Sequence, residues 1–109
     1  MVEETFLEFK GFLSFLILHE IAKYPLCGDE LAHKIGKRKG VVLTPGTIYP
    51  ALKELRRRKF ISMRQEGRKK FYSLTEEGKI ILEKQYDLFS KYFWGLKNKI
   101  SKTRTQKQL

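Results

Sequence analysis

The stretch "TPGTIYPALKELRRRKFI", residues Thr44 to Ile61, decides how the rest of the chain is read. Ile48, Ala51, Leu52 and Leu55 recur at three- and four-residue intervals, so a helix would gather them on one apolar face. Pro45 and Pro50 stand at the front of this helix, and four consecutive cations, Arg56 to Lys59, at its back. Thr44 can cap it with Pro45 in the first helical position. Alternatively Thr47 is the cap and Pro50 falls in the first turn, where its missing N–H does no harm; this option is easier on Pro50. The helix is expected to end near Arg58. Its polar side presents Gly46, Tyr49, Pro50, Lys53 and Arg57. Such a helix can lie on its own domain by one side and bring a blunt, uncharged end close to a polyanion.

The charge distribution agrees. The 109-residue chain carries +11, and the segment from Lys34 to Lys70 holds thirteen Lys/Arg against two acids, Glu54 and Glu66. That segment accounts for the whole net charge, because the remainder has ten residues of each sign. A field gathered in one third of a small domain suits a nucleic acid or an anionic surface; a merely soluble basic face is the plainer alternative. A chain of this length forms one domain with a modest core, so an oligomer interface would help it. Fourteen aromatic residues are consistent with one.

Cys27 is the sole cysteine, which rules out an internal disulfide and suits a reducing cytoplasm. The N-terminal "MVEETFLEFK" lacks a secretory pattern. The most apolar run, "FLSFLIL" from Phe12 to Leu18, is far shorter than the ~20 residues that span a bilayer. The expectation is a soluble cytoplasmic protein with no membrane partner.

Outward from the opening stretch, a first helix is predicted over Phe6–Tyr24, with Phe6, Phe9, Leu13, Ile17, Ile21 and Tyr24 on one face. Phe12, Phe15, Leu16 and Leu18 add apolar surface elsewhere, so one side could meet the domain and another a second subunit. "YPLCGDE" reads as a break, followed by a short helix from Asp29 to about Ile35 with Gly36 as its C-terminal cap. "KRKGVVL" is a basic connection with a short extended piece at Val41 to Leu43. After the opening stretch, Ile61–Arg64 and Lys70–Leu74 alternate around Gly67 and predict a hairpin whose tip carries Arg68, Lys69 and Lys70. Thr75 should cap a last helix reaching Ile100, with Glu76 and Glu77 in its first turn. Its Leu82, Tyr86, Phe89, Phe93, Leu96 and Ile100 alternate by four and three, a heptad pattern suited to pairing with another helix.

The expected fold class is mainly α with a small β-hairpin: a winged helix-turn-helix plus a long C-terminal dimerisation helix. The domain boundaries are 1–75 for the DNA-binding unit, 76–100 for the dimerisation helix and 101–109 for a basic, disordered tail. In a helix-turn-helix the third helix enters the major groove with its N-terminal residues toward base edges. Thr47 and Tyr49 could then donate to phosphates or bases, and Lys53 could reach a phosphate or a guanine edge.

Three segments, "GFLSFLILHEIAKYPLCGDELAHKI", "TPGTIYPALKELRRRKFI" and "GRKKFYSLTEEGK", resemble the PadR family of winged helix-turn-helix transcriptional regulators, of the short type with a single C-terminal helix. The similarity runs from about Gly11 to Ile100, and Asp29 stands where the family often has an aromatic. The resemblance implies a homodimeric repressor on a roughly palindromic operator, with Thr47, Tyr49, Lys53, Arg68 and Lys70 at matching DNA-contacting positions. It also implies a dimer made by the first and last helices. The full expected DNA-facing set is Lys37, Arg38, Thr44, Gly46, Thr47, Tyr49, Pro50, Lys53, Arg57, Arg68, Lys69 and Lys70. The dimer set is Phe12, Phe15, Leu82, Tyr86, Phe89, Phe93, Leu96 and Ile100. Phe89, Phe93 and Trp94 are candidates for lining a hydrophobic effector pocket, against the plainer reading of a dimer core.

Other chemistry finds little footing. His19, Cys27 and His33 have no zinc-ligand spacing, and no nucleophile–base set or phosphate-cradling loop is visible, so neither cofactor nor enzyme activity is expected. Two alternatives remain beside the DNA-binding regulator: a winged-helix protein-interaction module and a nonspecific nucleic-acid-binding protein.

Overall fold

The computed structural model describes residues 9–40, 42–94 and 96, without the side chains of 9–11 and 39. The start of the first helix, Val41, Ile100 and the tail 101–109 lie outside the described residues. The elements run α1 (Phe9–Ile21), β1 (Leu26–Cys27), α2 (Gly28–Lys39), α3 (Pro45–Arg57), β2 (Ile61–Glu66), β3 (Lys69–Leu74) and α4 (Glu76–Trp94). The result is mainly α with one small antiparallel sheet, as the sequence pattern predicts.

The core is a single cluster. Leu13, Leu16, Ile17, Leu18 and Ile21 of α1 meet Leu31 and Ile35 of α2, Ile48, Leu52 and Leu55 of α3, Leu26, Ile61 and Tyr72 of the sheet, and Leu82 of α4. Ile48, Leu52 and Leu55 form the predicted apolar side of α3 and are all buried. At roughly 25 cal/mol per Å² of apolar surface removed from water, burial of this stripe is what sets the rotation of the helix.

Several boundaries differ from the sequence reading, each for a local reason. α1 stops at Ile21, and Tyr24 is exposed rather than on the inner face. Tyr24 precedes Pro25, and a residue before proline is driven from the α region. Leu26 and Cys27, read as part of a break, form β1 and pair with Tyr72 and Phe71, so the sheet has three strands in the order β1-β3-β2. Two residues carry no period, which is why this strand is invisible without its partner.

α2 continues past Gly36 to Lys39, and the left-handed cap is Gly40 with φ 71°. Lys37, Arg38 and Lys39 favour the negative end of the helix dipole and extend it by a turn. Val42 and Leu43 are not in a strand.

α3 takes the earlier of its two starts. Thr44 is the N-cap and Pro45 the first helical residue, so Pro50 lies inside the helix. Pro50 has no N–H to give the Gly46 carbonyl four residues back, and a glycine there minimises crowding. The Thr44 side chain makes no backbone cap; its hydroxyl meets that of Thr47 at 3.3 Å.

The far end of α3 closes with Lys59 in the left-handed region, φ 65°. The Phe60 N–H donates to the Leu55 carbonyl at 3.0 Å and that of Lys59 to Arg56 at 2.9 Å, a Schellman closure that satisfies the last carbonyls. The hairpin turns on Gly67 (φ 63°) and Arg68, with Glu66 opposite Lys69. Glycine at the first of two turn positions lets the strands leave with their natural twist.

Thr75 caps α4 as predicted: its hydroxyl oxygen accepts from the Gly78 N–H at 3.0 Å and its O–H donates to the Lys59 carbonyl at 2.6 Å. Gly78 lies so close to the Phe60 carbonyl that any Cβ would collide with backbone. α4 extends to Trp94 in helical form, with Leu96 in a turn.

Gly78→Ala should therefore destabilise the fold by about 1–3 kcal/mol, because the obstructing atom is backbone. Lys59→Gly should stabilise it by about 0.5–1 kcal/mol by relieving left-handed backbone strain. Urea denaturation of both variants checks the opposite signs.

Candidate nucleic-acid interface

With Ile48, Leu52 and Leu55 buried, α3 turns Gly46, Tyr49, Pro50, Lys53 and Arg57 outward, and all five are exposed. Thr44 is exposed and Thr47 half-buried beside them. The nose of the helix thus combines hydroxyls, a glycine and a proline, with its first charge at Lys53.

The Tyr49 ring reaches back to the start of α2. A Cβ built on Gly28 would fall 2.5 Å from the Tyr49 hydroxyl oxygen and 2.8 Å from its Cζ. The ring therefore lies directly over the first residue of α2, in space available only because residue 28 is glycine. It also lies close to Tyr72, whose phenol is pushed up first by burial and then by Tyr49, against the opposing pull of Arg56. Asp29, His33 and Lys37 of α2 line a groove of ≈ 590 Å³ with Pro45, Ile48 and Tyr49. Lys37 thus stands alongside the nose of α3.

Not every expected cation joins this surface. The Arg38 Nε donates to the Glu20 carboxylate at 2.6 Å, on α1. Its second contact is the His19 ring at 3.5 Å. Arg38 is therefore engaged with the body of the domain. Arg57 donates through Nε at 2.9 Å and through a terminal nitrogen at 2.6 Å to the two oxygens of Glu54, and the Arg58 Nε adds a third bond at 2.8 Å. The hydrogen bonds from Arg57 and then Arg58 hold the Glu54 carboxyl down to about 2. Its favourable interaction is thus present above the ordinary glutamate value near 4.5 and lost only as pH falls toward 2.

The hairpin separates its own cations. Side chains alternate along a strand, so Lys70 shares a face with the buried Tyr72, beside Tyr49 and Arg56 of α3. Lys69 lies on the other face, opposite Glu66 and near Glu30. Glu30 is held below the usual carboxylate range, first by the Cys27 thiol and then by the Cys27 backbone N–H, with Lys69 a smaller influence. Arg68 is at the turn itself. Lys70 is thus on the α3 side of the hairpin and Lys69 on the side of Glu30 in α2.

The sequence reading missed two residues of this surface. Glu54 had a readable signal, since acids and arginines three and four apart on a helix pair readily. The Gly28–Tyr49 contact had none, because the partners are on different elements.

The residues assigned to the dimer divide in two. Leu82 is 3% exposed and Phe89 8%, both enclosed by their own chain. Phe89 packs on Phe15 (centroids 4.6 Å) and Phe12 (5.7 Å), and Tyr86 on Phe15 (5.6 Å). The Tyr86 hydroxyl meets the His19 Nδ1 at 2.6 Å, which places His19 against α4. Thus Leu82, Tyr86, Phe89 and Phe15 first of all fasten α4 to α1. Phe12, Tyr92, Phe93, Trp94 and Leu96 are exposed. Among the described residues no cluster of three or more His, Cys, Asp or Glu side chains could hold a metal, and no helix is long and apolar enough to cross a membrane.

Three helices with a hydrogen-bonded hairpin beside the third define a winged helix-turn-helix protein. A family model, the transcriptional regulator PadR-like family, matches residues 17–84, more than half of the chain. The chain belongs to that family. A PadR-like transcription factor from Bacteroides fragilis superposes with a TM-score of 0.72 at 23% identity, covering 82% of this chain and 90% of that one. A regulator from Thermoplasma acidophilum gives 0.72 at 27% identity, covering 84% and 93%. Bacillus subtilis PadR, solved in complex with operator DNA, gives 0.61 at 30% identity, covering 69% of this chain and 47% of that longer one. No curated protein matched the chain.

The Tyr49 seat can be tested directly. Gly28→Ala should displace the half-exposed Tyr49 ring at a cost of up to about 1 kcal/mol, and adding Tyr49→Ala should recover most of that loss. Additive losses in thermal melts of the double variant would show that the two positions do not touch.

Proposed function

We propose that the protein is a homodimeric, sequence-specific DNA-binding transcriptional repressor of the cytoplasm, acting on a palindromic operator. The observation that carries this reading is the outward face of α3: an uncharged nose, Tyr49 seated on Gly28, and Lys53 one turn behind. Lys70 and Arg68 extend that face through the wing, and Lys37 flanks it. The neighbour solved on operator DNA supports the same assignment.

In this reading the nose of α3 enters the major groove, Thr47 and Tyr49 address bases or phosphates, and Lys53 and Lys70 neutralise phosphates. Thr44, Gly46 and Pro50 let the backbone approach the duplex closely. Repression follows from occupying promoter DNA.

The dimer is supported by the exposed aromatic end of α4 with Phe12 of α1. Phe89 stacks on Phe93 at 5.8 Å, so the intrachain cluster runs continuously into the exposed patch. A second copy on this patch would bury it and set two α3 helices about 34 Å apart, in successive major grooves. The segment 76–100, which contains α4, then serves as the dimerisation element. Phe89, Phe93 and Trp94 are where a flat hydrophobic effector would bind, at the junction that positions the two readers.

Lys53→Ala and Tyr49→Ala should each weaken operator binding and leave the dimer intact. Lys53→Ala should also make the slope of log K against log salt shallower by about 0.9. Gel-shift titrations with unchanged affinity in both variants would refute the groove assignment. Phe93→Asp should yield a monomer by sedimentation, with operator affinity reduced accordingly; an unchanged dimer would refute the proposed interface.

A further inference from the structure

Glu54 is the only acid on α3, yet it sits on the reading side of the helix. It follows Thr47 by seven residues and Pro50 by four, so all three share a face. The three also line one groove of ≈ 630 Å³, together with Leu13 and Ser14 of α1, Gly46 and Ala51. A bare carboxylate there would repel phosphate. It is not bare: Arg57 forks both its oxygens and Arg58 holds one, at 2.6–2.9 Å. On Arg57 the carboxylate takes the planar, bidentate geometry that a DNA phosphate would use, and on Arg58 it takes one further donor.

Resting on the DNA-binding reading above, we infer that Glu54 is a specificity-determining residue that acts as an internal competitor for phosphate. It keeps Arg57 and Arg58 from engaging the backbone of arbitrary duplex. Counterion release rewards every cation that reaches a phosphate, whatever the sequence, and so strengthens nonspecific binding most indiscriminately. An intramolecular anion that already holds two arginines removes part of that gain. Only a backbone placed closely enough to displace Glu54 recruits them, which requires the nose of α3 to be fully seated in the groove. Lys53, one residue earlier and on the neighbouring face, supplies phosphate affinity without this gate. Glu54 therefore widens the gap between operator and other DNA rather than raising affinity for either.

The test is Glu54→Gln in the full chain, titrated by fluorescence anisotropy against a selected operator duplex and a scrambled duplex over a range of salt. Affinity for the scrambled duplex should rise about five-fold at ~0.15 M salt for each arginine released, with a slope steeper by about 0.9. The ratio of operator to scrambled affinity should fall. Adding Arg57→Gln and Arg58→Gln should abolish the gain. Glu54 is half-buried and only its exposed ion pairs are lost, so the variant should melt within a few degrees of the parent, and a purely structural role would not move the salt slope. An unchanged slope and unchanged scrambled affinity would overturn the inference. So would loss of operator affinity confined to one base pair, which would make Glu54 a reader of a cytosine amino group instead. Failure of the parent protein to bind any duplex would sink the DNA-binding reading itself.

Discussion

Burial of one stripe of α3 governs the molecule. Ile48 and Leu52 are 1% exposed and Leu55 4%, closed in by Leu13, Ile17 and Ile21 of α1 and Leu31 and Ile35 of α2. A helix rotates by about 100° per residue, so a register shift of one would carry this stripe to solvent. With the stripe buried, the rotation of α3 is no longer adjustable. The outward direction of Tyr49, Pro50 and Lys53 follows from hydrophobic packing on the opposite side.

The same helix also anchors what comes after it. Its closing turn directs Phe60 into β2, and the carbonyls of Lys59 and Phe60 receive the Thr75 hydroxyl and backbone N–H. Gly78 then fits against Phe60 with no room for a side chain. The wing and the last helix are thereby tied to the base of α3 through a handful of backbone atoms. Phe15, Tyr86 and Phe89 secure the other end of that arrangement, and the aromatic cluster they begin emerges at the exposed end of α4.

Electrostatics adds selection to this scaffold. The 23 Lys and Arg of the chain overstate the cations that a polyanion would meet unengaged, because Arg38, Arg57, Arg58 and Arg64 already donate to carboxylates. The exposed pairs made by Arg57, Arg58 and Arg64 contribute little to stability, whereas Arg38 answers the buried Glu20. Their consequence is positional: they decide which cations are available at the nose and wing and which must first be displaced.

The periodicity of apolar residues was enough to place α3, the hairpin, the Thr75 cap and the mainly α architecture, because those signals are local. It was enough, too, to name Tyr49 and Lys53 as outward residues, since burial of one helix face implies exposure of the other. The two-residue strand β1, the extension of α2 past Gly36 and the seat of Tyr49 on Gly28 were settled only in three dimensions. Likewise the heptad count assigned Leu82 and Phe89 to a second subunit; the fold encloses both within the same chain, Phe89 against Phe15 of α1. Local spacing determines which residues share a face. Only packing between distant segments determines what that face meets, because an apolar side chain is satisfied by any apolar surface that excludes water.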